Sequence, residues 1–153
     1  MKLRPATIAD SELVYRIKKA ALREYVDRTW GWDEAEQRRY HHSDFIPSGF
    51  QIIEADGEPI GVFVVRDFED HLAVCEIYIH PSHQNRGMGT NLIKGVQADA
   101  KERGIPVRLR FLKTNPNAGR LYARLGFTVS GETPHHYRME YRPDSSSPSR
   151  EAT

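Results

Sequence analysis

The stretch that could do chemistry most directly is Ile77-Tyr78-Ile79-His80-Pro81-Ser82-His83-Gln84-Asn85-Arg86-Gly87-Met88-Gly89-Thr90. An apolar strand pattern ends at Ile79, a polar turn follows, and Gly87 and Gly89 lead into a helical pattern. Amides at the start of a helix lack intrahelical partners and carry partial positive charge. Glycine lets an anion reach such amides with no Cβ in the way, which is how a pyrophosphate would be held. The stretch is not a P-loop, which needs G-x-x-x-x-G-K-[ST]. It also misses the dinucleotide fingerprint, because Gly87-Met88-Gly89-Thr90-Asn91-Leu92 has no third glycine. An ordinary glycine-rich turn fits the same pattern, so the glycines alone leave both readings open.

Other residues invite chemical readings. Glu76 lies in an apolar strand pattern, where a carboxylate needs a reason. Desolvation would push it towards a useful general base, and an ion pair with Arg108 or Arg110 would make it structural instead. Cys75, the one cysteine, reads as a small core residue and can build neither a disulfide nor a cysteine-based zinc site. His41-His42 and His135-His136 are adjacent pairs, whose side chains diverge on a helix or strand, so surface histidines and no metal are expected.

The elements that must position these residues follow from periodicity. Lys2 to Ala6 reads as a short strand, and Thr7-Ile8-Ala9-Asp10 fits a capping box. Leu13, Val14, Ile17, Ala20, Ala21 and Tyr25 then share a helical face. A second helix is expected over Asp33 to His42, after an aromatic connection from Tyr25 to Trp32. Phe50 to Ala55 and Ile60 to Arg66 read as a hairpin around Asp56-Gly57. Leu72 to Ile79, apolar on both faces, reads as a central strand stopped by His80-Pro81. A helix over Gly87 to Arg103 carries Leu92, Ile93, Val96 and Ala100 on one stripe and stops at Gly104. Val107, Leu109 and Phe111 alternate with Arg108 and Arg110 as a strand with one buried face. Asn115-Pro116 opens a helix that stops at Gly126, and Phe127 to Val129 with His136 to Tyr141 close the order as two strands. Strands interleaved with helices give an α/β or α+β sheet with helices packed on it.

Composition bounds the answer. With 153 residues the chain holds about one domain. Lys plus Arg number 22 against 21 Asp plus Glu, which argues against a general nucleic-acid binder. The start lacks a secretory apolar stretch and no run is long enough to span a membrane, so a cytoplasmic domain is expected, with no membrane partner. Arg142 to Thr153 is Ser/Pro-rich and reads as a disordered tail beyond a single domain over 1–141.

Two motifs at their usual separation carry a family resemblance. Gln84-Asn85-Arg86-Gly87-Met88-Gly89 resembles the Q/R-x-x-G-x-G/A acyl-CoA motif of the GNAT N-acetyltransferase superfamily. Asn115-Pro116-Asn117-Ala118-Gly119-Arg120-Leu121-Tyr122-Ala123-Arg124-Leu125-Gly126-Phe127 resembles that family's N-x-x-A-x-x-L-Y-x-x-x-G-F signature. The opening Leu3-Arg4-Pro5-Ala6-Thr7 with Asp10 is also similar to the family's start, so the likeness runs over roughly Lys2 to Tyr141.

The resemblance implies a mixed, mostly antiparallel sheet of about seven strands, splayed at the fourth and fifth, with about four helices. It implies an acetyl-CoA-dependent N-acyltransferase working by direct attack in a ternary complex, with acetyl-CoA as acyl donor and no metal. The pantetheine arm would bond backbone groups of the splayed strand end at Ile77 and Ile79. Amides from Gln84, Asn85, Arg86, Gly87, Met88 and Gly89 would hold the pyrophosphate, with Thr90 nearby. Asn115 and Asn117 would touch the coenzyme, although Asn115 also suits a plain N-cap. Tyr122 would give its proton to the coenzyme sulfur, while Tyr122 and Phe127 also stand where a Schellman contact would form. Glu76 is the first candidate base, with His80 and Tyr137 in reserve. The acceptor wall would come from Tyr25, Trp30, Trp32 and Tyr137, with Asp33 and Glu34 adding charge for a cationic amine. The amine itself is unnamed, and the chain could act as a monomer or homodimer. A non-catalytic acyl-CoA sensor on the same fold shares every binding motif. A nucleotide-binding domain is disfavoured by the missing phosphate-binding lysine.

Overall fold

The computed structural model describes residues 1–143, so the expected tail lies, from Asp144 onward, outside the described residues. Pro143, the last of them, is buried. The elements are β1 (Lys2–Pro5), α1 (Ser11–Trp30), α2 (Glu34–Asp44), β2 (Gln51–Ala55), β3 (Glu58–Asp67), β4 (Leu72–Ile79), α3 (Met88–Arg103), β5 (Val107–Leu112), α4 (Pro116–Arg124), β6 (Thr128–Glu132) and β7 (His136–Tyr141). Their order matches the expected one throughout. They form a seven-stranded sheet ordered β1-β2-β3-β4-β5-β7-β6, mostly antiparallel, with β4 and β5 a parallel pair. That ladder joins Leu72 to Val107 and Ala73 to Arg108, the first residues of both strands.

Two compact units account for the chain. The first comprises Met1–Val65 with Cys75–Met88, and the second Arg66–Val74 with the described residues from Gly89 on.

In the first unit, Thr7 N donates to Asp10 Oδ2 at 2.8 Å, closing one arm of the expected capping box ahead of α1. Arg4 clamps the same carboxylate with both terminal nitrogens, at 2.9 and 3.0 Å, and reaches Glu54 on β2 at 3.0 Å. Paired so, Asp10 is held down to about 2. The core joins Val14 and Ile17 of α1 to Ile52, Val62 and Val64 of β2 and β3, with Phe45 and Phe50 closing the end. Asp56 and Gly57 take left-handed backbone, φ 53° and 79°, as a tight two-residue hairpin turn requires. Gly61 is needed for another reason. A Cβ there would lie 2.6 Å from the Tyr78 carbonyl oxygen and 2.7 Å from Ile53 Cδ1.

Three expectations for the helices of this unit need correction. Helix α1 runs to Trp30, so the connection shrinks to Gly31–Asp33 and Tyr25 and Trp30 sit on helix rather than loop. Ala20 faces water, and the buried positions include Tyr15 and Val26. His41 is buried rather than on the surface, stacked on Phe45 at 5.3 Å. Its Nε2 donates to the Ser11 carbonyl at 2.8 Å, while Nδ1 is buried without a hydrogen-bond partner among the described residues.

In the second unit, Leu92, Ile93, Val96 and Ala100 of α3 are buried, as their stripe predicts, and Gln97 joins them by donating to the Leu125 carbonyl at 2.7 Å. Strand β5 alternates as expected at its start, with Val107 and Leu109 buried and Arg108 and Arg110 exposed. Helix α4 lies close on β5, since a Cβ on Gly119 would meet the Phe111 ring at 2.6 Å. No helix among the described residues is long and apolar enough to cross a membrane.

Candidate functional site

The glycine turn belongs to the first unit up to Met88. Asn85 and Gly87 both take left-handed backbone, φ 64° and 79°. Such residues within a turn bring successive N–H groups to one side, the geometry of an anion nest. Asparagine tolerates this conformation, and glycine takes it without strain. Space around the Gly87 Cα is open, with nothing within 4 Å of where a Cβ would stand. Helix α3 begins at the next residue, so the turn delivers amides to a helix start carrying Met88, Gly89 and Thr90.

The turn is tied to the strand before it. Gln84 Nε2 donates to the Ile79 carbonyl at 2.8 Å, so this side chain braces the loop rather than standing idle. From sequence, Gln84 is expected to contribute mostly its backbone. His80 N donates to the Ile60 carbonyl at 2.7 Å, pinning the end of β4 to β3. The His80 imidazole is engaged too. Its Nδ1 accepts from Ser82 N at 3.2 Å and lies 2.8 Å from Ser82 Oγ.

On β4 itself, Glu76 is half-buried, with Lys18 Nζ of α1 at 3.5 Å from its Oε1. An ammonium on this carboxylate was not foreseen. Arg108, expected as a possible partner, pairs with Glu140 at 2.9 Å. Cys75, expected in the core, is exposed, because the alternation along β4 turns it to the other face from Val74 and Glu76.

The expected acceptor wall takes shape differently. Trp30 ends α1 and is exposed, whereas Trp32 is held in place. Its backbone N donates to Asp27 Oδ1 at 2.9 Å and its indole N–H to Glu34 Oε1 at 3.0 Å. Glu34 also accepts from Lys19 at 2.7 Å, the Tyr15 hydroxyl at 2.9 Å and Arg38 at 3.1 Å. Lys19 foremost, then the Trp32 indole and the Tyr15 hydroxyl, hold this carboxylate down to about 2. Asp33 caps α2 by accepting from Glu36 N at 3.0 Å. Both acids expected to attract a cation therefore spend their charge on the α1–α2 corner.

In the second unit, Asn115 caps α4, its Oδ1 accepting from Ala118 N. Asn117 Oδ1 is bound by Arg120 of the same helix. Helix α4 ends in the expected Schellman motif. Phe127 N donates to the Tyr122 carbonyl at 3.0 Å and Gly126 N to the Ala123 carbonyl at 3.1 Å. The Tyr122 and Phe127 rings pack at 5.8 Å, the apolar contact of that motif. Tyr122 is buried, and desolvation pushes its phenol up to about 12, so it stays protonated at neutral pH. Phe111 bridges Tyr122, at 6.1 Å between ring centroids, and Tyr137, at 5.7 Å. Tyr137 is half-buried beneath Lys113, whose ammonium lies 4.9 Å from the ring centroid and also bonds Glu132. Among the described residues no group of three or more His, Cys, Asp or Glu is gathered as metal ligands would be.

The chain has relatives in sequence and structure. A mycothiol acetyltransferase of Kineococcus radiotolerans is 35% identical over 102 residues, covering 65% of this chain and 29% of that protein. An L-methionine sulfoximine/L-methionine sulfone acetyltransferase of Salmonella typhimurium is 34% identical over 59 residues, covering 38% of this chain and 34% of its own length. The chain thus spans about a third of each of these relatives. The PaiA N-acetyltransferase of Thermoplasma acidophilum, solved with coenzyme A, superposes with a TM-score of 0.75 at 16% identity, covering 92% of this chain and 98% of that one. The ribosomal-protein-S18-alanine N-acetyltransferase of Escherichia coli superposes with a TM-score of 0.66, also at 16% identity, over 92% of each chain. The family model for the acetyltransferase (GNAT) family matches residues 14–127, from α1 through the Schellman end of α4, and the chain belongs to that family.

Proposed function

We propose that the protein is an acetyl-CoA-dependent N-acyltransferase that moves an acetyl group to an amine by direct attack. The observation that carries this reading is the backbone of the glycine turn. Left-handed Asn85 and Gly87, open space over Gly87 and a helix starting at Met88 make an amide cradle suited to a diphosphate. Gln84 keeps the cradle in register with Ile79. The amides of Ile77 and Ile79 bond the pantetheine arm as an added strand would, and the Ile79 N–H polarises the thioester carbonyl. Thr90, Asn115 and Asn117 add coenzyme contacts.

Transfer needs a neutral amine, a stabilised oxyanion and a protonated leaving thiolate. Tyr122 supplies the last proton. A phenol held near 12 keeps its proton at working pH, so it stands as a donor to the sulfur as the thiolate leaves. Glu76 takes the proton from the amine, with Lys18 holding its carboxylate. Tyr25, Trp30 and Trp32 border the acceptor. Coenzyme A serves as cosubstrate and supplies the activated acyl group.

The test is a thermal shift with acetyl-CoA, coupled to thiol release with pooled amines. Acetyl-CoA at a hundredfold its dissociation constant stabilises the fold by about 2.7 kcal/mol, and Gly87→Glu abolishes the shift by setting a carboxylate against the diphosphate. A variant that melts like wild type and still binds acetyl-CoA normally places the cradle elsewhere. Binding without thiol release over the amine panel favours the non-catalytic sensor.

A further inference from the structure

We propose that the face of β5 and β7 carrying Arg110 and Arg138 binds an oxyanion group, a carboxylate or a phosphate, on the acceptor amine. The proposal rests on the transferase reading above and names the class of amine that reading leaves open.

Residues directly opposite in an antiparallel ladder share a face, with Cβ atoms about 4.5–5.5 Å apart, and sheets place opposite charges there. One pair on this face does so. Arg108 stands opposite Glu140 and bonds it at 2.9 Å. The next pair along the same face is Arg110 opposite Arg138, two like charges in register. Both are exposed, and neither has a carboxylate within ion-pair reach among the described residues. Glu140, the acid that β5 and β7 present on this face, is already shared between Arg108 and Arg142, the latter at 2.7 Å. Glu132, at the end of β6, stands opposite Tyr137 on the other face and is bound to Lys113.

The surplus charge registers on a neighbour. His136, opposite Leu112 one pair further on, is held below the usual imidazole range by burial and then by Arg110, His135 and Arg138. With the His136 cation so disfavoured, the site's charge rests on the two guanidiniums. A pair of planar forks on adjacent strands suits one oxyanion between them, because each fork can bond two oxygens. Strands hold such groups more firmly than loops do. The rest of the sheet does not need this pair, since like charges opposite each other cost stability.

The experiment uses the full chain at constant ionic strength. Thiol release is measured with matched acceptors, namely an α-amino acid, its amide and an aminoalkyl phosphate. The anionic acceptors are expected to be preferred, and their relative KM values tell carboxylate from phosphate. Arg110→Gln and Arg138→Gln raise KM for the anionic acceptors by about tenfold, the worth of one charge-assisted hydrogen bond, and leave kcat and the neutral amide unaffected. Arg138→Glu shifts preference towards a diamine. Calorimetric binding of the same acceptors reads the arginines without turnover, so weakened binding in the variants supports the site even where the transferase reading fails. Unchanged KM and binding for the anionic acceptors, equal losses on anionic and neutral acceptors, or a rise in KM for acetyl-CoA alone would each overturn the proposal.

Discussion

Gly61→Ala is a severe test of how the end of β4 is held. Gly61 lies opposite Ile53 in the β2–β3 ladder, and an added methyl would stand 2.6 Å from the Tyr78 carbonyl oxygen and 2.7 Å from Ile53 Cδ1. Neither neighbour can yield easily. Ile53 is fully buried, and the Tyr78 oxygen is backbone. The end of that strand is also tied down, with His80 N bonded to the Ile60 carbonyl at 2.7 Å. Overpacking of this kind costs about 1–3 kcal/mol. Replacing glycine by alanine returns about 0.4–1 kcal/mol by stiffening the unfolded chain. Taken at mid-range, the net is about 1.3 kcal/mol of destabilisation, which lowers Tm by roughly 3–5 °C in a chain of this size. Because the displaced carbonyl precedes Ile79, acetyl-CoA affinity should fall as well. Differential scanning calorimetry with and without acetyl-CoA measures both effects. A variant that melts at or above the wild-type temperature would refute the reasoning, because the close approach would then be slack rather than a constraint.

Further predictions follow from the buried and paired groups. Tyr122→Phe should keep acetyl-CoA affinity and lower kcat by at least tenfold, as loss of a general acid does, while full turnover would remove the phenol from the reaction. Burial holds His41 below the usual imidazole range, so between its folded value and ~6.5 the unfolded chain binds more protons. Stability should therefore fall as pH drops below ~6.5, and His41→Leu should flatten that limb of a Tm-versus-pH curve. Asp10, held down to about 2 by Arg4, stabilises the fold fully above ~4 and loses that contribution as pH falls towards 2. Asp10→Asn should cost about 1–2 kcal/mol at neutral pH and remove part of the acid limb, measured by urea unfolding across pH.

Local patterns carried most of the architecture. The Asp56-Gly57 turn, the β4 span from Leu72 to Ile79, the α3 stripe and the Schellman end of α4 are all written in short-range spacing, because turn chemistry and periodicity act within a few residues. The two motifs around Gly87 and Tyr122 are local for the same reason, and they made the family legible. Long-range partners were not legible. Nothing near Glu76 in the chain points to Lys18, and nothing near Glu34 announces that Tyr15, Lys19, Trp32 and Arg38 converge on it. Cys75 read as core because its neighbours are apolar, yet the pleat turns it outward.

The chain's own letters determined the strand-to-helix turn, the order of the elements and the tyrosine at the end of α4, since each is set by backbone preference over one or two turns. Folding in three dimensions decided which charges are spent and which remain. It set Arg110 against Arg138, closed Glu34 within four donors and pressed Gly61 onto Tyr78. Register between strands and the packing of helices on a sheet bring together residues far apart in sequence, and those contacts depend on the whole core rather than on any segment of it.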